Sequence, residues 1–246
     1  MLYYFSEFIG CFLFVGAGYG YMASANLKGT LVNKFEFFPC FLVWGLGLGS
    51  GVMTAIQLGG PACLNPAVAL GKAIIGAITV PQMFGLWLAE FLGAGFSVFL
   101  VMIFYWDNFK MSPDVPKAGF FSAKATTRHL PMNFLQEIIA STTFTSLLFF
   151  GLLHADGSTG VGQLQITLTG LASLLWVGFS YSETGFSMNP MRSVFSSIWY
   201  TILPIPNKID KVDWEYQIIV NVGGSTIGCV LAVFIELAAK KALGMA

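Results

Sequence analysis

Six stretches of the chain, near 3–22, 38–58, 81–104, 132–154, 161–181 and 214–239, each run for about twenty predominantly apolar residues. That is the length an α-helix needs to cross the hydrocarbon core of a bilayer. Inside lipid a chain must satisfy every backbone polar group internally, so six such stretches predict a bundle of membrane-spanning helices. The charge count agrees. Only 10% of the 246 residues are charged, against roughly 25% in an ordinary soluble domain, too few to cover a soluble surface. With 12 Lys+Arg, 12 Asp+Glu and no long basic block, the chain lacks the electrostatic footprint of a nucleic-acid binder. The cysteines at 11, 40, 63 and 229 show no C-x-x-C spacing, and His129 and His154 have no nearby ligand partners. No metal site or cofactor is therefore expected, and the cysteines read as apolar fillers. The first stretch has no basic residues ahead of it and contains Glu7, so it reads as a retained span and not as a cleavable signal.

The polar segment 105–131 holds Asp107, Lys110, Asp114, Lys117, Lys124 and Arg128 with three prolines, and it divides the spans three and three. We read it as a linker between repeat one, 1–104, and repeat two, 132–246, within a single membrane domain. Two helix-like segments, 66–76 and 190–199, are about ten residues long, too short to cross, so each must stop partway. They open with matched dipeptides, Asn65-Pro66 and Asn189-Pro190, and each follows the second long span of its half. Three spans per repeat is an odd number, so the copies enter the membrane from opposite sides. The fold expected is an all-α membrane protein of six transmembrane helices plus two re-entrant half-helices in an inverted repeat. Short, Pro-started segments at corresponding places in such halves point to a transport site. A pair of amphipathic surface helices is the plainer alternative.

Proline at the first helical position loses no hydrogen bond, and asparagine before it is a good N-cap, so each dipeptide starts a helix sharply. If the two N-termini meet near the midplane, each contributes the equivalent of roughly half a positive charge and repels cations and protons. The side-chain amides of Asn65 and Asn189 can offer donors to a passing oxygen. The irregular residues leading in, among them Ala62, Cys63, Leu64, Gly185, Ser187 and Met188, carry backbone carbonyls that lipid cannot satisfy, which predicts a ladder of acceptors.

The segment GGPACLNPAVALG, with Asn65, Pro66 and Ala67, resembles the first NPA box of the aquaporin and aquaglyceroporin family, the major intrinsic proteins. TGFSMNPMRS, with Asn189, Pro190 and Met191, resembles the second. The match in span order covers essentially the whole chain. The resemblance implies a homotetramer in the lipid bilayer, each protomer with its own pore for water or small neutral solutes, and both termini in the cytoplasm. It also implies an aromatic and arginine filter. Arg192 falls at the arginine, Trp44 in WGLG at the second-span position, and Phe186 three residues before Asn189. The fifth-span position falls on Val177 or Gly178. Trp44, Phe186 and a small residue at 177 or 178 are similar to glycerol facilitators, whereas Ser193 stands as in water channels. Met191 replaces the alanine of the second box, where it either narrows the opening or packs between half-helices. Cys63 replaces a common histidine. Glu7 and Glu137 resemble buried acids that accept hydrogen bonds from the box loops, and Glu90 stands where glutamine is expected. Gly45, Gly47, Gly49, Gly51, Gly93 and Gly95 read as close helix contacts.

The reading is a passive channel for glycerol and water in the cell membrane, not an enzyme. A water-selective pore is the alternative, and a secondary transporter carrying protons on Glu7, Glu137 or Glu90 is a third possibility. One feature opposes the family topology. It places Lys28, Lys34, Lys110, Lys117, Lys124, Arg128, Lys208 and Lys211 outside and only Lys72, Lys240 and Lys241 inside, the reverse of the positive-inside rule.

Overall fold

A computed structural model describes residues 1–33 and 37–245. Lys34, one of the cations counted above, lies outside the described residues. Among those described, all regular structure is helical, and six helices are long and apolar enough to span a bilayer. The first half runs α1 (Leu2–Asn26), α2 (Phe37–Gln57), the short α3 (Pro66–Ile74) and α4 (Val80–Phe104). Within the polar segment lie α5 (Trp106–Met111) and α6 (Ala118–Phe121). The second half repeats the order long, long, short, long. Its members are α7 (Leu130–Leu152), α8 (Gly160–Ser180), a π-helical turn at Met191–Phe195 continued by α9 (Ser196–Ile202), and a last span assembled from α10 (Trp214–Tyr216), a π-helical stretch at Gln217–Gly224 and α11 (Ser225–Ala242).

Local chemistry sets these boundaries. Thr79 and Gln82 form a reciprocal capping box at the start of α4, with Pro81 in its first turn. Thr159 Oγ1 accepts from Gly162 N at 3.0 Å to start α8, and Asp213 accepts from Tyr216 N at 3.2 Å to start the last span. The π-helical stretch follows a run of buried polar side chains: Gln217 Nε2 donates to Ala123 O at 2.7 Å and Asn221 Nδ2 donates to Gln217 Oε1 at 2.7 Å. Ser225 Oγ also donates to Asn221 O, a side chain competing for a ladder carbonyl at the end of the stretch.

Close approach of backbones packs the bundle. A Cβ on Gly49 would lie 2.3 Å from Thr167 O, and one on Gly51 would lie 2.5 Å from Gly10 O. These positions admit only glycine and draw α2 against α8 and α1, as small residues do between membrane helices.

The segment 105–131 is more than a connector. Lys117 is buried, and its Nζ donates to the carbonyls of Ser112, Val115 and Asn207 at 2.7, 2.8 and 2.9 Å. Burial pulls its ammonium below the usual lysine range. Asp210 accepts from Lys117 N at 2.9 Å and Ala118 N at 3.0 Å, while Arg128 pairs with Asp213 at 2.8 Å and also with Glu215. Lys208 Nζ donates to the carbonyls of Tyr200, Thr201 and Leu203. Lys117 and Arg128 therefore tie the segment to the approach to the last span, and Lys208 caps the end of α9.

Candidate pore and selectivity site

The two Asn-Pro starts meet. Asn65 caps α3 with an extended backbone, and its Oδ1 accepts from Ala67 N at 3.0 Å; Asn189 Oδ1 accepts from Met191 N at 2.9 Å. Each amide then crosses to the other box. Asn65 Nδ2 donates to Met188 O at 3.0 Å, and Asn189 Nδ2 donates to Leu64 O at 2.7 Å. One hydrogen of each amide is committed to this exchange. The carbonyls of Leu64 and Met188, expected in the acceptor ladder, therefore already hold a protein donor on one lone pair.

The loops into the boxes are strained in register. Ala62 and Leu64 have φ of 46° and 48°, and Phe186 and Met188 have 62° and 49°, three residues and one residue before their asparagines. Left-handed backbone costs a non-glycine residue on the order of 1 kcal/mol or more, so something must hold it. Two buried acids do. Glu7 on α1 accepts from Cys63 N at 3.2 Å and also from Leu64 N. Glu137 on α7 accepts from Met188 N at 2.6 Å, with Ser141 Oγ donating to the same oxygen at 3.5 Å. Glu90 on α4 is buried against Glu7, and neither of its carboxyl oxygens has a hydrogen-bond partner among the described residues. Cys63 is nearly buried within the first loop, close to Lys72, whose Nζ donates to Pro61 O at 3.1 Å.

Arg192 sits on the π-helical turn, buried, with its guanidinium carbon 5.1 Å from the centre of the Trp44 ring, within cation–π range. Its backbone carbonyl accepts from Tyr19 Oη at 2.8 Å, and Ser196 Oγ donates to Met191 O at 3.1 Å while also contacting the Tyr19 hydroxyl. Met191 O also accepts the backbone N–H of Ser196, so these hydroxyls add to the bonding of the widened turn. Nε and Nη1 of Arg192 are buried and have no hydrogen-bond partner among the described residues. Trp44 is seated over Gly18, where a Cβ would come within 2.2 Å of the indole, and stands edge-on to Phe14 and Tyr19 at 5.7 and 5.5 Å.

Trp44, Arg192, Phe186 and Gly178 line one open cavity of about 460 Å³, together with Phe41, Phe179 and Lys124. Of the two fifth-span candidates, Gly178 faces this cavity and Val177 is buried away from it. Met191 is fully buried and does not line it either; it packs in the core. Ser193 is buried, with Oγ donating to Asn189 O at 3.2 Å, so its hydroxyl closes a local backbone bond. Phe41, Lys124 and Tyr19 were not anticipated from the sequence. Phe41 could have been found, since it lies three residues before Trp44 and so shares its helix face; Lys124 and Tyr19 carry no local signal.

A bundle of six spans with two half-helices that cap and bind each other, and with an arginine laid over a tryptophan at the adjoining cavity, defines an integral membrane protein of the paired re-entrant type. A family model for the major intrinsic protein matches residues 2–236. The chain belongs to the major intrinsic protein family. It is 33% identical over 238 residues to glycerol uptake facilitator protein 2 of Lactiplantibacillus plantarum, covering 95% of this chain and 97% of that protein. It is 32% identical to the D/L-lactic acid transporter of the same organism, over 92% of this chain and 93% of the other. A glycerol uptake facilitator protein of Streptococcus pneumoniae is 30% identical over 94% and 96% of the two chains. Among solved structures, the aquaglyceroporin from Plasmodium falciparum shares the fold with a TM-score of 0.76 at 22% identity, covering 100% of this chain and 99% of that one.

Proposed function

We propose that this chain is a passive channel for glycerol and other small neutral solutes together with water, that it excludes protons and ions, and that it performs no chemical step. The proposal includes one channel domain of two inverted repeats, 1–104 and 132–246, joined by 105–131. It also includes a homotetramer in the cell membrane with both termini cytoplasmic. The observation that carries the reading is the cavity wall. Trp44 and Phe186 offer an apolar corner to a carbon backbone, and Arg192 brings its guanidinium to the same wall for hydroxyl groups. The meeting half-helix N-termini supply the barrier to cations. Relatives named as glycerol uptake facilitators, about 30% identical over nearly the whole chain, support the same solute.

Ser193, which favours a water-selective pore by resemblance, spends its hydroxyl on Asn189 O, which weakens that reading. Proton carriage on Glu7 and Glu137 is weakened likewise, because both carboxylates are engaged with box-loop amides. A specific feature favours small hydroxy acids as a second solute class. Lys124 joins Arg192 among the residues lining the cavity, two cations that would draw a hydroxy acid to the mouth for passage in its neutral form, and one relative is named a lactic acid transporter.

Stopped-flow light scattering on proteoliposomes tests this. Fast shrinkage in sucrose and glycerol-driven reswelling are expected; shrinkage without reswelling would establish the water-selective pore, and flux that follows an imposed pH gradient would establish a coupled transporter. Replacing Arg192 by alanine should weaken cation exclusion, and unchanged selectivity would mean that the filter lies elsewhere. Protease access to 105–131 from outside intact cells is expected; protection of that segment would reverse the orientation.

A further inference from the structure

In the cavity wall, the place that the fifth span should fill is held by glycine, and a ring from the second span stands in it. A Cβ on Gly178 would lie 2.7 Å from Phe41 Cδ1 and 2.7 Å from Cγ, so the ring rests directly on the glycine backbone. Phe41 also meets Phe186 at 5.1 Å between centroids and stands edge-on to Phe179 at 5.2 Å. These contacts hold the ring from two sides. On α2 it lies one helical turn from Trp44, so the same helix face presents both rings. The cavity lined by Phe41 is the one into which Trp44 and Arg192 project. A ring that only filled the core would not border it.

We propose that Phe41 is a specificity-determining residue of this pore, supplying the wall that Gly178 omits and so setting the girth of solute that can reach the aromatic and arginine site. The inference rests on the channel reading above and deepens it. It assigns discrimination by width to Phe41 and recognition of hydroxyls to Arg192. Unbranched triols, with a carbon chain one atom thick, are the class admitted. Branched triols with the same number of hydroxyls are the class rejected. Gly178 follows as a requirement of Phe41, because any side chain there would push the ring into the opening.

The test is paired uptake of glycerol and 1,1,1-tris(hydroxymethyl)ethane, a branched triol, into proteoliposomes. Phe41→Ala should raise the branched-to-linear rate ratio by roughly tenfold, the scale on which apolar walls discriminate by a methylene or two. Phe41→Leu should raise it less, and both variants should still conduct water. Gly178→Ala alone should slow both triols, and Gly178→Ala placed in the Phe41→Ala protein should restore the ratio toward that of the parent. Such compensation is a coupling that independent packing positions do not show. An unchanged ratio in Phe41→Ala and Phe41→Leu proteins that still conduct water, or simple additivity in the double variant, would overturn the inference. If the parent conducts water but no glycerol, the glycerol reading fails on its own. In that case admission of glycerol by Phe41→Ala would still uphold the wall, and continued exclusion would sink it.

Discussion

The two half-helices are alike at their caps and part company one turn later. In both, an asparagine Oδ1 accepts from the backbone two residues on, at 3.0 and 2.9 Å, and its amide reaches the carbonyl before the other asparagine. Both also make the first turn's bond to the asparagine carbonyl, Ala69 N to Asn65 O at 3.0 Å and Ser193 N to Asn189 O at 3.2 Å, and α3 then continues as a regular helix. The second half-helix instead opens into a π turn at Met191–Phe195. The residue three after each asparagine shows why this matters: Val68 in the first box, Arg192 in the second. The shared geometry places two helix N-termini together, a task that needs symmetry. Of the two half-helices, only the one whose charged side chain stands at the cavity carries the distorted turn, and Tyr19 and Ser196 donate to carbonyls within it. On the proposed reading, what the halves share builds the barrier, and where they differ they build the filter.

That comparison can be broken at its supports. Glu7 holds two amides of the first loop and Glu137 one of the second. A buried N–H left unpaired costs roughly 1–3 kcal/mol. Glu7→Leu should therefore give the largest loss of stability, roughly 2–6 kcal/mol, read as thermal unfolding in detergent. Glu137→Leu should lose about half as much, and equal losses would mean that the loops are not held as their hydrogen bonds indicate. Glu90→Gln should move the other way and raise stability by on the order of 1 kcal/mol, since an amide beside Glu7 removes a buried like charge. A loss there would show that the acid itself is required. Tyr19→Phe should be mildest, near 1 kcal/mol, because it removes one hydrogen bond to a carbonyl of the π turn. Its mark should be a changed glycerol-to-water permeability ratio with the first box unaffected. A ratio identical to that of the parent would separate the π turn from selectivity.

Much of this architecture was legible in the chain because it is written in local chemistry. Twenty-residue apolar runs demand spanning helices in lipid, Asn-Pro starts a helix abruptly, and capping residues at Thr79 and Thr159 mark span starts without reference to anything distant. The pairing of Glu7 with one loop and Glu137 with the other was anticipated from the resemblance. What could not be read was whatever depends on one helix's rotation against another. Val177 and Gly178 are neighbours in sequence, yet only the second faces the cavity. Met191 was a candidate to narrow the opening and goes into the core. The segment 105–131 looked like a plain linker, and its buried lysine caps carbonyls from its own turn and from Asn207 some ninety residues away.

By itself, then, the sequence determined the solvent this protein folds in, the number of spans, the two half-helices and the chemical groups available at their meeting point. Hydropathy and capping act within a turn or two of chain, so a single sequence suffices to state them. The tertiary structure decided which of those groups share a cavity. It laid Arg192 over Trp44, turned the second box into a π turn under the hydroxyl of Tyr19, and set Phe41 on the bare backbone of Gly178. Each of these depends on helix rotation and close approach, which are fixed by packing across the bundle and leave no local mark.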